Sequence, residues 1–225
     1  MKVCTDSCLF GAWVADKMER RWIDAKSILD IGSGTGLLSL MIAQKFPGAI
    51  DAIEINENAY WQTKENFIKS LWAARLRAFH GDIKSWNSPA KYDFIVSNPP
   101  FFENDLTSPD QNKNEAKHRT SLSLEALLQS IKNNLALHGN FALLLPYHRI
   151  QYFKGLAKGK GFYLSEELLI KQTPDHPYFR GILLFGTKPA STISDGLIIK
   201  DKDGNYTQSF QLLLKDYYLN LKPKL

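Results

Sequence analysis

Ser27-Ile-Leu-Asp30-Ile31-Gly32-Ser-Gly34-Thr-Gly36 runs from a short apolar strand into a glycine-rich turn, and Leu37 to Lys45 then places Leu37, Leu40 and Met41 at helical spacing. Glycines in such a turn let the backbone approach a ligand closely, and the helix N-terminus behind it offers N–H groups. A dinucleotide fingerprint needs G-x-G-x-x-G, and counting from Gly32 its third glycine falls on Leu37. Here the glycines fall at Gly32, Gly34 and Gly36, with the acid Asp30 two residues ahead of the first. That carboxylate repels a pyrophosphate and attracts a cationic ligand.

Outward from this unit, apolar runs alternate with amphipathic stretches. Pro47-Gly48 ends the first helix; Ala49 to Ile55 reads as a strand, Glu57 to Ser70 as a helix, and Leu76 to Phe79 and Tyr92 to Ser97 as strands. Ser121 to Leu137 is a helix with Leu124, Leu127, Leu128, Ile131 and Leu135 on one face, closed by His138-Gly139 before the strand Phe141 to Leu145. After a short helix come strands near Leu168 to Lys171 and Gly181 to Gly186. The connection Gln172 to Arg180 is too short for a parallel crossover, so this pair is antiparallel. Leu197 to Ile199 and the turn Asp203-Gly204 suggest a small separate hairpin, followed by a helix with Phe210, Leu213, Leu214 and Tyr217. Ahead of the sheet, Leu9, Phe10, Trp13 and Val14 mark a helix capped by Thr5, Asp6 or Ser7. The fold expected is α/β: a doubly wound, mostly parallel seven-stranded sheet with an antiparallel last strand. The chain is read as one domain, 1–225, with a core at 26–190 flanked by an N-terminal segment, 1–25, and a C-terminal hairpin and helix, 191–225.

Composition sets outer bounds. The 225 residues, 44% hydrophobic and 23% charged, are those of a globular chain able to bury a core. No apolar run is long enough to span a bilayer and the start has no secretory h-region, so the expected location is cytoplasmic. Cys4 and Cys8 alone make neither a disulfide framework nor a four-ligand zinc site, and are read as reduced thiols. Residues 1–110 carry 12 Lys+Arg against 14 Asp+Glu and residues 111–225 carry 16 against 9, so the whole net charge of +5 arises in the second half. A polyanionic partner and a solvated basic surface both fit that asymmetry.

Three further sites carry chemistry. Glu54 ends the second strand, where a carboxylate can accept from the vicinal hydroxyls of a ribose. In Gly81-Asp82-Ile83, after the third strand, Asp82 can accept from an exocyclic amine while a backbone N–H, that of Ile83, meets a ring nitrogen. Asn98-Pro99-Pro100-Phe101 follows the fourth strand, at the crevice where open α/β sheets bind ligands. The prolines fix the backbone there and remove two donors. The Asn98 side-chain oxygen and the Pro99 carbonyl can together accept both hydrogens of one –NH2, and Phe101 offers a stacking face. This suits a planar amine nucleophile.

With these motifs in this order, residues 26 to 145 resemble the class I S-adenosylmethionine-dependent methyltransferases of the N-P-P-[FY] type. The resemblance implies a methionine-end loop at Asp30 to Gly36, a ribose acid at Glu54, an adenine contact at Asp82 and the amino-methylating motif at Asn98 to Phe101. The start, Lys2-Val-Cys-Thr5-Asp6-Ser-Cys-Leu-Phe-Gly11-Ala-Trp13, is similar to that of the bacterial valine-tRNA adenine-N6 methyltransferases, in which it packs over the cofactor. Members carry a short aromatic, polar segment ahead of this start. Asn98-Pro-Pro-Phe-Phe102, Ala116-Lys-His-Arg119, Tyr206-Thr-Gln-Ser-Phe210 and Lys215-Asp-Tyr-Tyr-Leu219 also resemble that family. The resemblance implies methyl transfer from S-adenosylmethionine to adenine N6 beside the anticodon of a valine tRNA, with S-adenosylhomocysteine as product, no metal and no obligate protein partner or membrane. The 102–120 loop, with Lys113, Lys117 and Arg119, is expected to gate the RNA side, Lys117 and Arg119 contacting substrate; a plain insertion fits as well. Competing readings within the motif are guanine N2 of rRNA, adenine N6 of DNA and a protein glutamine amide. Outside it stand a non-catalytic RNA-binding scaffold and a nicotinamide oxidoreductase.

Overall fold

β1 (Ser27–Ile31) is the hinge of the architecture, because it pairs in parallel with strands from both halves of the sheet, β2 (Ala49–Glu54) and β4 (Tyr92–Ser97). The computed structural model describes residues 4–22, 24–86, 88, 90–99, 122–219 and 221. The sheet has eight strands in the order β3-β2-β1-β4-β5-β7-β6-β8, with β3 at Leu76–His80, β5 at Leu135–Pro146, β6 at Tyr163–Lys171, β7 at Tyr178–Gly186 and β8 at Ile193–Ile198. The order reverses between β1 and β4, which is where a doubly wound sheet opens a crevice beyond its strand ends. The register there is tight: Ile31 lies opposite Ile53 and Ser97, and the Ser97 hydroxyl donates to the Ile31 carbonyl at 2.8 Å.

Helices cover both faces. α1 (Thr5–Arg21), α2 (Leu37–Ala43) and α6 (Gln208–Leu214) lie over one, with Leu9, Phe10, Val14, Met41, Ile42, Phe210 and Leu214 in a core shared with Ile28, Val96, Ile182 and Leu184. α4 (Leu124–Asn134) and α5 (Ile150–Gly159) cover the other, bringing Leu127, Leu128, Ile131, Phe153 and Ala157 against Leu29, Ile95, Leu143 and Phe185. α3 (Glu57–Ile68) packs Phe67 into the first core and is capped by Asn56, whose side chain accepts from the Ala59 N–H. Alternating strand residues feed the two cores, so the apolar runs read from the sequence are strands buried on both sides.

Three expectations are corrected. The sheet has eight strands, not seven: Leu197 belongs to β8, which pairs in parallel with β6, and only the single bridge Lys200–Tyr206 remains of the expected hairpin. Ile193-Ser-Asp-Gly-Leu-Ile198 contains Asp and Gly, which weaken its strand signal; burial of Leu197 and pairing with the otherwise open edge of β6 override it. As expected, β7 is antiparallel, and it lies between β5 and β6. The helix before β5 stops at Asn134, since Leu135 turns extended and pairs with Tyr92. α1 is capped by the extended residue Cys4 without a side-chain hydrogen bond, so Thr5, Asp6 and Ser7 are its first turn and none of them is the cap.

Candidate active site

The strands β1, β2 and β4 deliver Gly32, Glu54 and Asn98 to one edge of the sheet, and a cavity of about 890 Å³ opens there. Its wall includes Gly32 and Gly34 after β1, Glu54 and Asn56 after β2, Asp82 and Ile83 after β3, and Asn98 and Pro99 after β4. Pro100, Phe101, Lys117 and Arg119 lie outside the described residues, as does the 102–120 loop.

Gly32, Gly34 and Gly36 all have positive φ, 73°, 59° and 77°, a region that L side chains rarely adopt. Gly36 has a second reason to be glycine: an added Cβ would stand 2.7 Å from the Phe67 ring. The turn's donors are largely engaged within the protein. Gly32 N–H goes to the Ile53 carbonyl at 2.9 Å, Gly36 N–H to the Ser33 carbonyl at 2.8 Å, and Gly34 N–H to Glu54 Oε2 at 2.8 Å. The turn therefore offers shape and close backbone approach more than free N–H groups.

Glu54 is buried and locked. Oε2 accepts from Gly34 and Oε1 from the Asn56 N–H at 2.9 Å. A carboxylate has about four acceptor positions, so roughly two remain for a ligand carrying two hydroxyls. Asp82 is more open: it accepts from the Lys84 N–H and pairs with the Lys84 ammonium at 3.2 Å. Asp30 and Gly36 stand behind the cavity wall rather than on it. The Asp30 carboxylate is buried and accepts from the Ser39 hydroxyl of α2 at 2.7 Å. Burial pushes its pKa up to about 7; the Ser39 hydrogen bond opposes the shift and the Glu54 charge adds to it. It bears on the site through its field rather than by contact.

Asn98 is half-buried in the cavity wall. Its Nδ2 donates to Ser7 Oγ at 2.9 Å, while its Oδ1 is buried and has no hydrogen-bond partner among the described residues. A buried amide oxygen left unpaired costs about 1–3 kcal/mol, and such a group marks either strain or a place for a ligand donor. Pro99 lines the cavity beside it.

The opening turn of α1 forms part of the wall through Cys4, Asp6 and Ser7, and Asp6 pairs with Arg180 of β7 at 3.1 Å. Local sequence reading missed Ser7 and Arg180 as site residues, because their contacts join positions 91 and 174 residues apart. The likeness of the first thirteen residues to a cofactor-covering segment was the one available signal. Among the described residues no cluster of three or more His, Cys, Asp or Glu is placed to hold a metal ion, and no helix is long and apolar enough to cross a membrane.

Comparison with known proteins agrees with this geometry. The methyltransferase small domain family matches residues 11–139. A Dyadobacter fermentans protein named tRNA1(Val) (adenine(37)-N6)-methyltransferase is 40% identical over 97% of this chain and 91% of its own length. A Proteus mirabilis protein of the same name is 38% identical over 97% of this chain and 88% of its own. The chain belongs to this methyltransferase family. Solved structures show how widely the scaffold is shared. An Agrobacterium tumefaciens protein described as a predicted O-methyltransferase superposes with TM-score 0.70 over 93% of this chain and 95% of its own, at 16% identity. A TehB-like SAM-dependent methyltransferase from Corynebacterium glutamicum gives 0.52 over 80% and 88%, at 19% identity. At such identities they establish the class I methyltransferase fold alone, and the family's chemistry rests on the site and on the sequence relatives.

Proposed function

We propose that the protein transfers a methyl group from S-adenosylmethionine to the exocyclic N6 of an adenine in tRNA, the adenine at position 37 beside the anticodon of a valine tRNA. The relatives carry that activity in their names. The observation that carries the reading to this chain's own atoms is the unpartnered amide oxygen of Asn98 beside Pro99 in the cavity wall.

S-adenosylmethionine, when bound, supplies an electrophilic methyl group. The chain's residues do the rest. Glu54, held by two backbone N–H groups, keeps acceptors that would take the ribose hydroxyls; Asp82 and the Ile83 N–H would hold the adenine of the cofactor, and the glycine turn would admit the methionine end. Asn98 Oδ1 and the Pro99 carbonyl accept the two hydrogens of the target amine. Both are neutral acceptors, so they do not deprotonate it outright. They favour the positive charge that develops on nitrogen as the methyl group arrives, and alignment supplies most of the remaining acceleration. Phe101 gives the flipped base a stacking face, and Lys117 and Arg119 meet RNA phosphates. An adenine in an anticodon loop is already partly unpaired, so extruding it costs at most a few kcal/mol. As the N–C bond forms, the S–C bond would break to release S-adenosylhomocysteine, and the extra proton on nitrogen would pass to solvent, since neither neutral acceptor can keep it.

The test is methyl transfer from labelled S-adenosylmethionine to total tRNA, followed by nucleoside analysis. N6-methyladenosine in valine tRNA is expected. Label on guanine N2, on a protein glutamine, or absent from tRNA would overturn the assignment.

A further inference from the structure

Beyond the cavity, on the side of β4 away from the cofactor-facing strands, the edge formed by the carboxyl ends of β5 and β6 and the amino end of β7 carries a run of aromatic and basic side chains that the reaction itself does not use. Tyr147, 44% exposed, follows directly on Pro146, and Pro146 lies opposite Arg180, a residue of the cavity wall. The rings of Tyr147 and Tyr178 are 5.5 Å apart, and the Lys171 ammonium stands 4.9 Å over Tyr178. A bulge arranges this: Ile170 lies opposite Arg180 and Lys171 opposite Tyr178, so Phe179 is the extra residue and the two basic side chains are aimed differently. On the other side of Tyr147, Arg149 lies 5.2 Å from the ring of Tyr152, which is 47% exposed. Gly181 lets this turn sit close on the sheet, since a Cβ there would reach 2.4 Å from Ile150. Of the nearby acids, Glu125 is engaged by the Tyr152 hydroxyl and Asp175 lies in the β6–β7 turn.

We propose that Tyr147, Tyr178 and Lys171 form the seat of the anticodon loop, receiving the single-stranded nucleotides that flank the target adenine. The inference rests on the tRNA reading above and extends it to residues outside the cavity. Its occupant is RNA because flat exposed rings alternating with cations are what unpaired bases and their phosphates bind, and because the run starts at the wall through which the target base must enter. The opposite wall, toward β2 and β3, holds the ribose and adenine acceptors of the cofactor and is excluded on that ground. Tyr147 and Tyr178 stack bases, while Lys171 neutralises a phosphate.

The experiment compares the full-length protein with Tyr147→Ala, Tyr178→Ala and Lys171→Glu, each assayed for methyl transfer to valine tRNA over a salt series. Lys26→Glu at the opposite edge of the sheet, where Lys26 is exposed, is the control for net charge. The tyrosine variants are expected to raise the tRNA KM about ten-fold or more, with cofactor affinity by calorimetry unchanged. Lys171→Glu should also lower the slope of log affinity against log salt by about one, and Lys26→Glu should do neither. Tyr147 is exposed and Lys171 only half-buried, so the test survives if Tyr178→Ala fails to fold. Wild-type KM and salt slope in those two variants, in a protein that methylates tRNA, would overturn the seat while leaving the functional reading intact. A wild type that neither binds nor methylates tRNA would overturn both.

Discussion

Glu54 braces two turns through backbone N–H groups and keeps further acceptor positions for the proposed ribose contact. Both its oxygens already hold N–H groups of the turns after β1 and β2, which fixes the direction of the remaining lone pairs. Glu54→Ala removes the acceptors for two hydroxyls, each charge-assisted bond being worth roughly 1.5–3 kcal/mol before relaxation. Calorimetry should find cofactor affinity reduced on the order of 100-fold or more, with Glu54→Gln intermediate; unchanged affinity would remove Glu54 from the site. Asp30 behaves differently, because its pKa is raised to about 7 chiefly by burial. Between about pH 4 and pH 7 the folded protein keeps a proton that the unfolded chain has lost, so this group's contribution to stability falls as pH rises across that window. Asp30→Asn cannot ionise. Its stability relative to wild type should rise by on the order of 3 kcal/mol between pH 5 and pH 8 in urea unfolding. An equal difference at both pH values would contradict the buried-acid account. The spacing of Asp30 to the glycines was legible in the sequence. Its burial behind the turn, against Ser39 of α2, was not, because periodicity places a residue on a strand without saying which layer covers it.

Among the elements, α1 couples most directly to the chemistry. Gly11 allows it to lie on α2, since an added Cβ would come within 2.7 Å of the Met41 sulfur, and Lys17 and Arg21 anchor it to the buried Glu166 of β6. So held, its first turn brings Ser7 to Asn98. The Ser7 hydroxyl accepts from one end of the amide, and Oδ1 at the other end has no partner among the described residues. Ser7→Ala should lower turnover by about ten-fold while cofactor affinity and tRNA KM hold, and Ser7→Thr should restore most of it. A loss shared equally by cofactor binding would make Ser7 merely a part of the wall. The apolar stripe of α1 was plain in the sequence; its capping was not, as Cys4 fills the position on backbone conformation alone. β8 was misread for a related reason: its Asp and Gly are poor strand formers, and its place depends on the free edge of β6, a partner no local pattern reveals.

At the scale of the whole molecule, function follows from where the sheet changes direction. Strands β1 to β3 end at the residues proposed to hold the cofactor, β4 ends at those proposed to accept the amine hydrogens, and β5 to β7 belong to the more basic half of the chain. That order, the parallel core and the antiparallel β7 could all be read from motif spacing and connection lengths. The unpaired oxygen of Asn98 could not, because the orientation of the amide depends on Ser7, 91 residues away. It is also the atom on which the account stands. Single-turnover rates at saturating tRNA and cofactor should fall on the order of 10² to 10³ in Asn98→Ala, with cofactor affinity little changed, and recover in part in Asn98→Asp, whose carboxylate still accepts the amine hydrogens. A wild-type rate in Asn98→Ala would contradict the account and make the Asn-Pro-Pro-Phe turn purely structural.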